Sequence, residues 1–252
     1  MRVRHLILAM VALATLGTTL VAQRFRTRDA TEVLDSIPYD GRFTFARLSF
    51  DVPQGFGGWG DLKWNHDYPR AERNFTRILN ELTLIDLHTS GSNVLSLDDP
   101  EIFRHPVLYM SEPGFWDPTD EQVANIRAYM LKGGFVIFDD FIGGRHWANF
   151  EAQIRRVFPE LRLVQLDASH PVFDSFFHIE SLDFRDPNRG IPSEFWGMYE
   201  DNDPDKRLLF VGNYNNDIGD YWEWSDQGFL PIELSNEAYK LGINYVIYAL
   251  TH

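Results

Sequence analysis

The sequence predicts a three-layer α/β domain, a mainly parallel sheet with helices on both faces, and three observations carry that prediction. Strand-like and helix-like segments alternate along the chain without an internal repeat, as parallel strands joined by crossover helices do. Phe135-Val136-Ile137-Phe138 is apolar at every position, so both faces of that strand need cover. The 252 residues are 44 % hydrophobic and 24 % charged. That composition is too apolar for disorder and fits one domain of about 200–250 residues.

The elements follow in chain order. Arg2 and Arg4 precede an uncharged run over residues 6–22, and charge returns at Arg24. This is the layout of a secretory signal, so residues 1–22 are expected to be a signal peptide or, if uncleaved, an N-terminal anchor. Residues 23–42 are polar and aperiodic and read as a linker, leaving 43–252 as a single α/β domain. Residues 43–50 alternate apolar and polar side chains and read as a strand, followed by a glycine-rich loop over 54–67. Pro69 suits the first turn of a helix carrying Ala71, Phe75, Ile78, Leu79 and Leu82 at helical spacing. A second strand is expected over 84–87 and a buried one over 107–110. Thr119 and Gln122 have capping-box spacing ahead of a helix that turns Val123, Ile126 and Met130 inward, and Gly133-Gly134 ends it. After the strand 135–138 come a helix over 149–158, strands over 161–166 and 208–211, and a closing helix over 236–250. That last helix carries Ala238, Leu241, Tyr245 and Tyr248 on one face.

Composition excludes several functions. Lys+Arg 23 against Asp+Glu 37 gives a net charge of −14, which argues against nucleic acid and anionic membrane surfaces. Contact with a membrane is expected only through an uncleaved 1–22 segment. Cysteine is absent, which removes disulfides, thiolate metal sites and a cysteine nucleophile. There is no Gly-x-Ser-x-Gly elbow, phosphate loop, dinucleotide fingerprint or His-Glu-x-x-His. The acidic run 201–206 puts Lys206 where a calcium loop needs glycine, so it reads as a solvated turn. No metal site is assigned, and nothing names a cofactor.

In open α/β sheets ligands bind beyond the carboxyl ends of the strands. The residues there are Trp59, Asp61, Trp64, Asn65, His66 and Asp67; Ser111, Glu112, Phe115 and Trp116; Asp139 and Asp140, then His146 and Trp147; Asp167, Ser169 and His170; and Asn213 to Asp217. From these, Asp61, Trp64, Glu112, Trp116, Asp139, Asp140, His146, Trp147 and His170 are the expected ligand-binding set. Asp140, Glu112 and His146 are the catalytic candidates. Carboxylates directly after a buried strand are poised for acid–base work, hard-metal ligation or hydrogen bonds to a sugar; they serve equally as turn caps or partners of Arg145. His146 reads as a base or ligand, or as a loop histidine under Trp147, and His170 before Pro171 as a shaping turn. Trp59, Trp64 and Trp116 offer a stacking platform or pins for a long loop.

These residues also carry a resemblance. Phe43-Thr44-Phe45-Ala46-Arg47-Leu48, the stretch from Asp67-Tyr68-Pro69 to Asn74, and Leu97-Asp98-Asp99-Pro100 resemble the exported bacterial proteins grouped as domain of unknown function 4159. Val107 through Gly114, Gly133-Gly134-Phe135 through Asp139-Asp140, His170-Pro171-Val172-Phe173 and the stretch from Leu241-Gly242-Ile243-Asn244 to His252 extend the likeness over nearly all of 42–252. The resemblance implies a fold similar to class I glutamine amidotransferases and the trehalose-utilisation type of domain, within the flavodoxin-like group. It brings no established activity with it. In those amidotransferases a cysteine follows a buried strand, and the comparable Val136-Ile137-Phe138-Asp139-Asp140 puts Asp140 at that place. A carboxylate does not replace the thiolate, so amidotransferase activity is excluded.

Three functions then compete. The first is an exported, periplasmic or envelope-located module binding a small polar, carbohydrate-like ligand. The second is a hydrolase using Asp140 and Glu112 as acid and base. The third is a structural partner in an envelope complex. Fold alone does not choose among them.

Overall fold

Strands that are apolar on both sides leave no face for water, and this chain meets that demand by stacking helices on each face of one sheet. The computed structural model describes residues 34, 36–52, 61–185 and 190–252. The segment 1–22, most of 23–42 and Trp59 lie outside them. Within the unit from Leu34 to His252 the strands are β1 (Ala46–Ser49), β2 (Asn93–Ser96), β3 (Val107–Ser111), β4 (Phe135–Phe141), β5 (Val164–Leu166), β6 (Glu194–Tyr199) and β7 (Leu208–Tyr214). The helices are α1 (Arg70–Leu82), α2 (Asp120–Leu131), α3 (Gly143–Val157), α4 (Ile218–Glu223) and α5 (Ile232–Thr251).

The sheet has seven strands in the order β2-β1-β3-β4-β7-β6-β5. Neighbours from β2 to β7 pair in parallel, and β6 alone runs against both of its neighbours. Alternate residues of the central strands serve two cores, as period 2 requires. Tyr109, Phe135 and Ile137 join Phe75 and Leu79 of α1, Trp222 of α4 and Tyr245 of α5. Leu108, Met110, Val136 and Phe138 join Ile126 and Met130 of α2 and Phe150 and Ile154 of α3. The α/β class and its mainly parallel sheet are therefore as the sequence predicts.

The details differ in instructive places. Residues 84–87 form no strand: Leu84 is fully exposed, and only Leu87 pairs, in a single bridge to Phe43. The edge strand is β2, whose half-polar Asn93-Val94-Leu95-Ser96 shows only a weak apolar alternation. The strand expected over 161–166 shrinks to β5 on the outer edge, because the unexpected β6 stands between it and β7. The helix expected from 149 starts at Gly143, so His146 and Trp147 ride on its first turns. The Thr119–Gln122 capping box forms, and Gly133 takes φ +106 beyond α2. Among the described residues no helix is long and apolar enough to cross a membrane.

Candidate functional site

The parallel sheet brings the ends of β1, β3, β4 and β7 to one edge, and the loop 61–69 lies over it. That loop is fastened by Arg47 of β1, which is fully buried. Its Nη1 donates to the carbonyl oxygens of Trp64 and His66, both at 2.9 Å, while Nε donates to Glu72 of α1. The Tyr109 ring lies 4.8 Å from its guanidinium carbon.

Held this way, His66 points its imidazole at the edge. Nδ1 donates to Glu112 Oε1 at 3.0 Å with Asp140 Oδ2 at 3.6 Å beyond, and Nε2 lies 3.0 Å from Asp61 Oδ1. Lys63 Nζ bridges Asp61 Oδ2 (2.7 Å) and Glu112 Oε2 (3.3 Å). The side chains of His66 (38 % exposed) and Asp61 (32 %) form the mouth, with Asp140 (13 %) and Glu112 (11 %) behind them. Burial pushes Asp140 up to about 6 against the opposing pull of His66. The Asp140 and Glu112 carboxylates in turn hold His66 protonated through neutral pH. Beside this group, Asp67 and Asp217 have carboxyls pushed well above the usual range by burial and by the charge of Asp140.

Backbone conformation singles out the same edge. Among the described residues, seven besides glycine have positive φ, and five of them are Lys63, Asp67, Glu112, Asp140 and Asn215. Asp140 sits at φ +57 where the register of β4 against β7 shifts between Phe138 and Phe141. Asn and Asp tolerate this region; Lys and Glu enter it at a cost.

The expected residues divide. Asp61, Glu112 and Asp140 come together around His66, and Trp64 contributes its backbone carbonyl nearby. Asp139 is turned the other way and is fully buried. It accepts from Tyr109 Oη (2.8 Å), Gly219 N (2.9 Å) and Asn213 Nδ2 (3.0 Å). Trp116 is a core residue against Phe138, with no exposure, so it lines no cleft. Trp147 packs on Trp196 and Tyr214, each 4.8 Å away between ring centroids, and donates Nε1 to Glu151. His146 accepts from Ile142 N at 3.3 Å, its ring 4.6 Å from that of Phe115, and burial lowers its pKa. His170 lies at the opposite edge: its neighbours Tyr199 and Tyr248 belong to the amino end of β7, where Tyr199 pairs with Leu208 and Tyr248 Oη accepts from Leu208 N. The chain doubles back after β5, which a strand-end rule does not foresee.

Sequence reasoning undervalued His66, Lys63, Asp67 and Asp217. All four follow strands, but only the Arg47 latch, invisible in a linear reading, makes 61–69 converge on β3 and β4. A groove of about 660 Å³ elsewhere, between α1 and α5 and lined in part by Ile78, Leu82, Ile232 and Tyr239, shares no residue with this edge.

Fold and site together define an α/β domain with a carboxylate–histidine cluster at the carboxyl edge of a mainly parallel sheet. The chain belongs to the family described as Domain of unknown function (DUF4159), whose model matches residues 44–250. No curated protein matches it.

Proposed function

We propose that the protein is exported and binds a small polar, carbohydrate-like ligand at the carboxyl edge, where Asp140 and Glu112 act on it as the acid–base pair of a hydrolysis. One observation carries this reading: two of the five left-handed residues of that edge, Glu112 and Asp140, bring their carboxylates to one shared histidine. Left-handed backbone at residues other than glycine persists where the surrounding structure enforces it, and such positions gather at functional sites. His66 touches both carboxylates and is partly exposed, and its positive charge balances the pair. Asp140, raised to about 6, is placed to exchange a proton with a bound ligand near neutral pH. Export rests on the basic start and apolar run of residues 1–22.

A second reading, binding without turnover, is favoured by one feature: His66 Nδ1 is already engaged by Glu112. The two readings separate when the purified chain is assayed on chromogenic glycosides and esters, with thermal shifts on sugars and polyols in parallel. Turnover is expected, and Asp140→Asn should reduce it by about 10²-fold or more while keeping the fold, because Asn tolerates the same backbone. A thermal shift without turnover gives the second reading. No response to any substrate or ligand overturns both.

A further inference from the structure

We propose that Asp67, Asp140 and Asp217 hold a hard divalent cation of the magnesium or calcium class. One carboxylate oxygen of each lies within 4.8 Å of the other two. An ion bound at roughly 2.1–2.5 Å from each oxygen fits that spacing. The three residues arrive on separate chain crossings: the loop before α1, the end of β4 and the turn after β7.

Each has an oxygen to offer. Asp140 meets His66 and Ser111 with Oδ2, so Oδ1 is open. Asp217 gives Oδ1 to the Asp220 amide, so Oδ2 is open. Asp67 Oδ2 is the telling atom, fully buried and without a hydrogen-bond partner. It faces the 217–219 turn, where a Cβ added to Gly219 would stand 2.6 Å from it. A missing side chain thus makes room for a carboxylate oxygen that nothing in the protein satisfies, and orphaned buried acceptors call for explanation. Among the described residues no cation hydrogen-bonds Asp67 Oδ2. Arg47 bonds Glu72 and the loop carbonyls, its buried Nη2 has no partner, and its charge reaches Asp67 only at a distance. His66 faces Glu112 and Asp61. An all-oxygen anionic set selects hard cations over zinc or copper.

As an account of what the working edge does, this rests on the reading above: the cation would hold an oxygen of the polar ligand beside Asp140 and Glu112. Its existence is tested separately. The full chain, stripped with a chelator, is titrated with Mg²⁺, Ca²⁺ and Mn²⁺ at constant ionic strength, read by calorimetry and thermal shift. Saturable binding with a raised Tm is expected. Asp217→Asn and Asp67→Asn should weaken it about tenfold or more. Both should raise the cation-free Tm by relieving like-charge crowding, an effect that a merely structural carboxylate would not give. Asp205→Asn, in the exposed turn, should bind as the wild type does. Terbium luminescence sensitised by Tyr109, and quenched by Ca²⁺, decides the matter on wild type alone if a variant does not fold. No saturable binding, or binding undiminished in both variants, overturns the proposal. Cation binding with no response to polar ligands keeps this inference and removes the earlier reading; a polar-ligand response in chelator without cation binding does the reverse.

Discussion

Asp139 and Asp140 are neighbours in sequence with different surroundings, because the pleat of β4 sends one into the α4–α5 face and the bulge turns the other to the edge. Asp139 accepts from an amide N–H, a hydroxyl and an amide NH₂, so Asp139→Asn brings a new donor against existing donors. A loss of about 2–4 kcal/mol is expected in urea unfolding. His170 gives a pH test. Burial lowers it to about 4, against the opposing charge of Asp167 and with His252 assisting. Below its ordinary value of 6.5 the unfolded chain takes a proton that the folded chain refuses. Stability should therefore fall as pH drops from 6.5 to about 4, by roughly 1–3 kcal/mol. His170→Asn keeps an acceptor for the Val172 amide, and chemical denaturation across that range should show its slope reduced relative to wild type. Both carboxylates and His170 were legible in the sequence as residues after strands. Which way each faces was not, because one bulge and one reversal of the chain decide it.

At the scale of elements, what was legible follows burial. β3, β4 and β7 read clearly because apolar residues fill both faces, and α2 because its cap is written in Thr119 and Gln122. β6 did not read, since Gly197 interrupts it and its partners are set by tertiary contact. That glycine is needed: a Cβ there would meet Leu208 Cδ1 and the Phe210 carbonyl oxygen at 2.7 Å each. Gly197→Ala should cost about 1–3 kcal/mol, measured as a shift in the denaturation midpoint with unchanged slope. The Arg47–Glu72 pair ties β1, α1 and the 61–69 loop. Arg47→Met alone strands a buried carboxylate and should cost about 3–5 kcal/mol. Arg47→Met with Glu72→Leu should cost less, yet amides of residues 61–69 should still exchange faster, since the Trp64 and His66 carbonyls lose their donor in both variants. Equal exchange in wild type and double variant would refute the latch.

For the molecule as a whole, the class followed from alternation and apolar runs, and the family from motifs spread over the chain. The working edge was legible as a direction and not as a set of contacts, since Lys63, His66 and Asp67 reach it through a loop held by a strand residue buried beneath. Export belongs to this scale too. Mass spectrometry of the protein from envelope fractions should show a chain starting near Gln23. An intact chain in the membrane fraction would indicate the anchor, and an intact chain in the cytoplasmic fraction would refute export.

The left-handed residues of the carboxyl edge also bear on how the protein responds to selection. Glycine would relax the backbone at Lys63 and Glu112, and Asn or Gly would hold the turns at Asp67, Asp140 and Asn215 at no greater cost. A library sorted only for heat resistance should therefore drift toward Gly and Asn at these positions, raising Tm while erasing the edge chemistry. Sorting for stability and sorting for ligand response would pull the codons of Lys63, Asp67, Glu112 and Asp140 in opposite directions, position 215 being Asn already. The two enrichment maps, subtracted, would then outline the site even while its substrate is still unidentified.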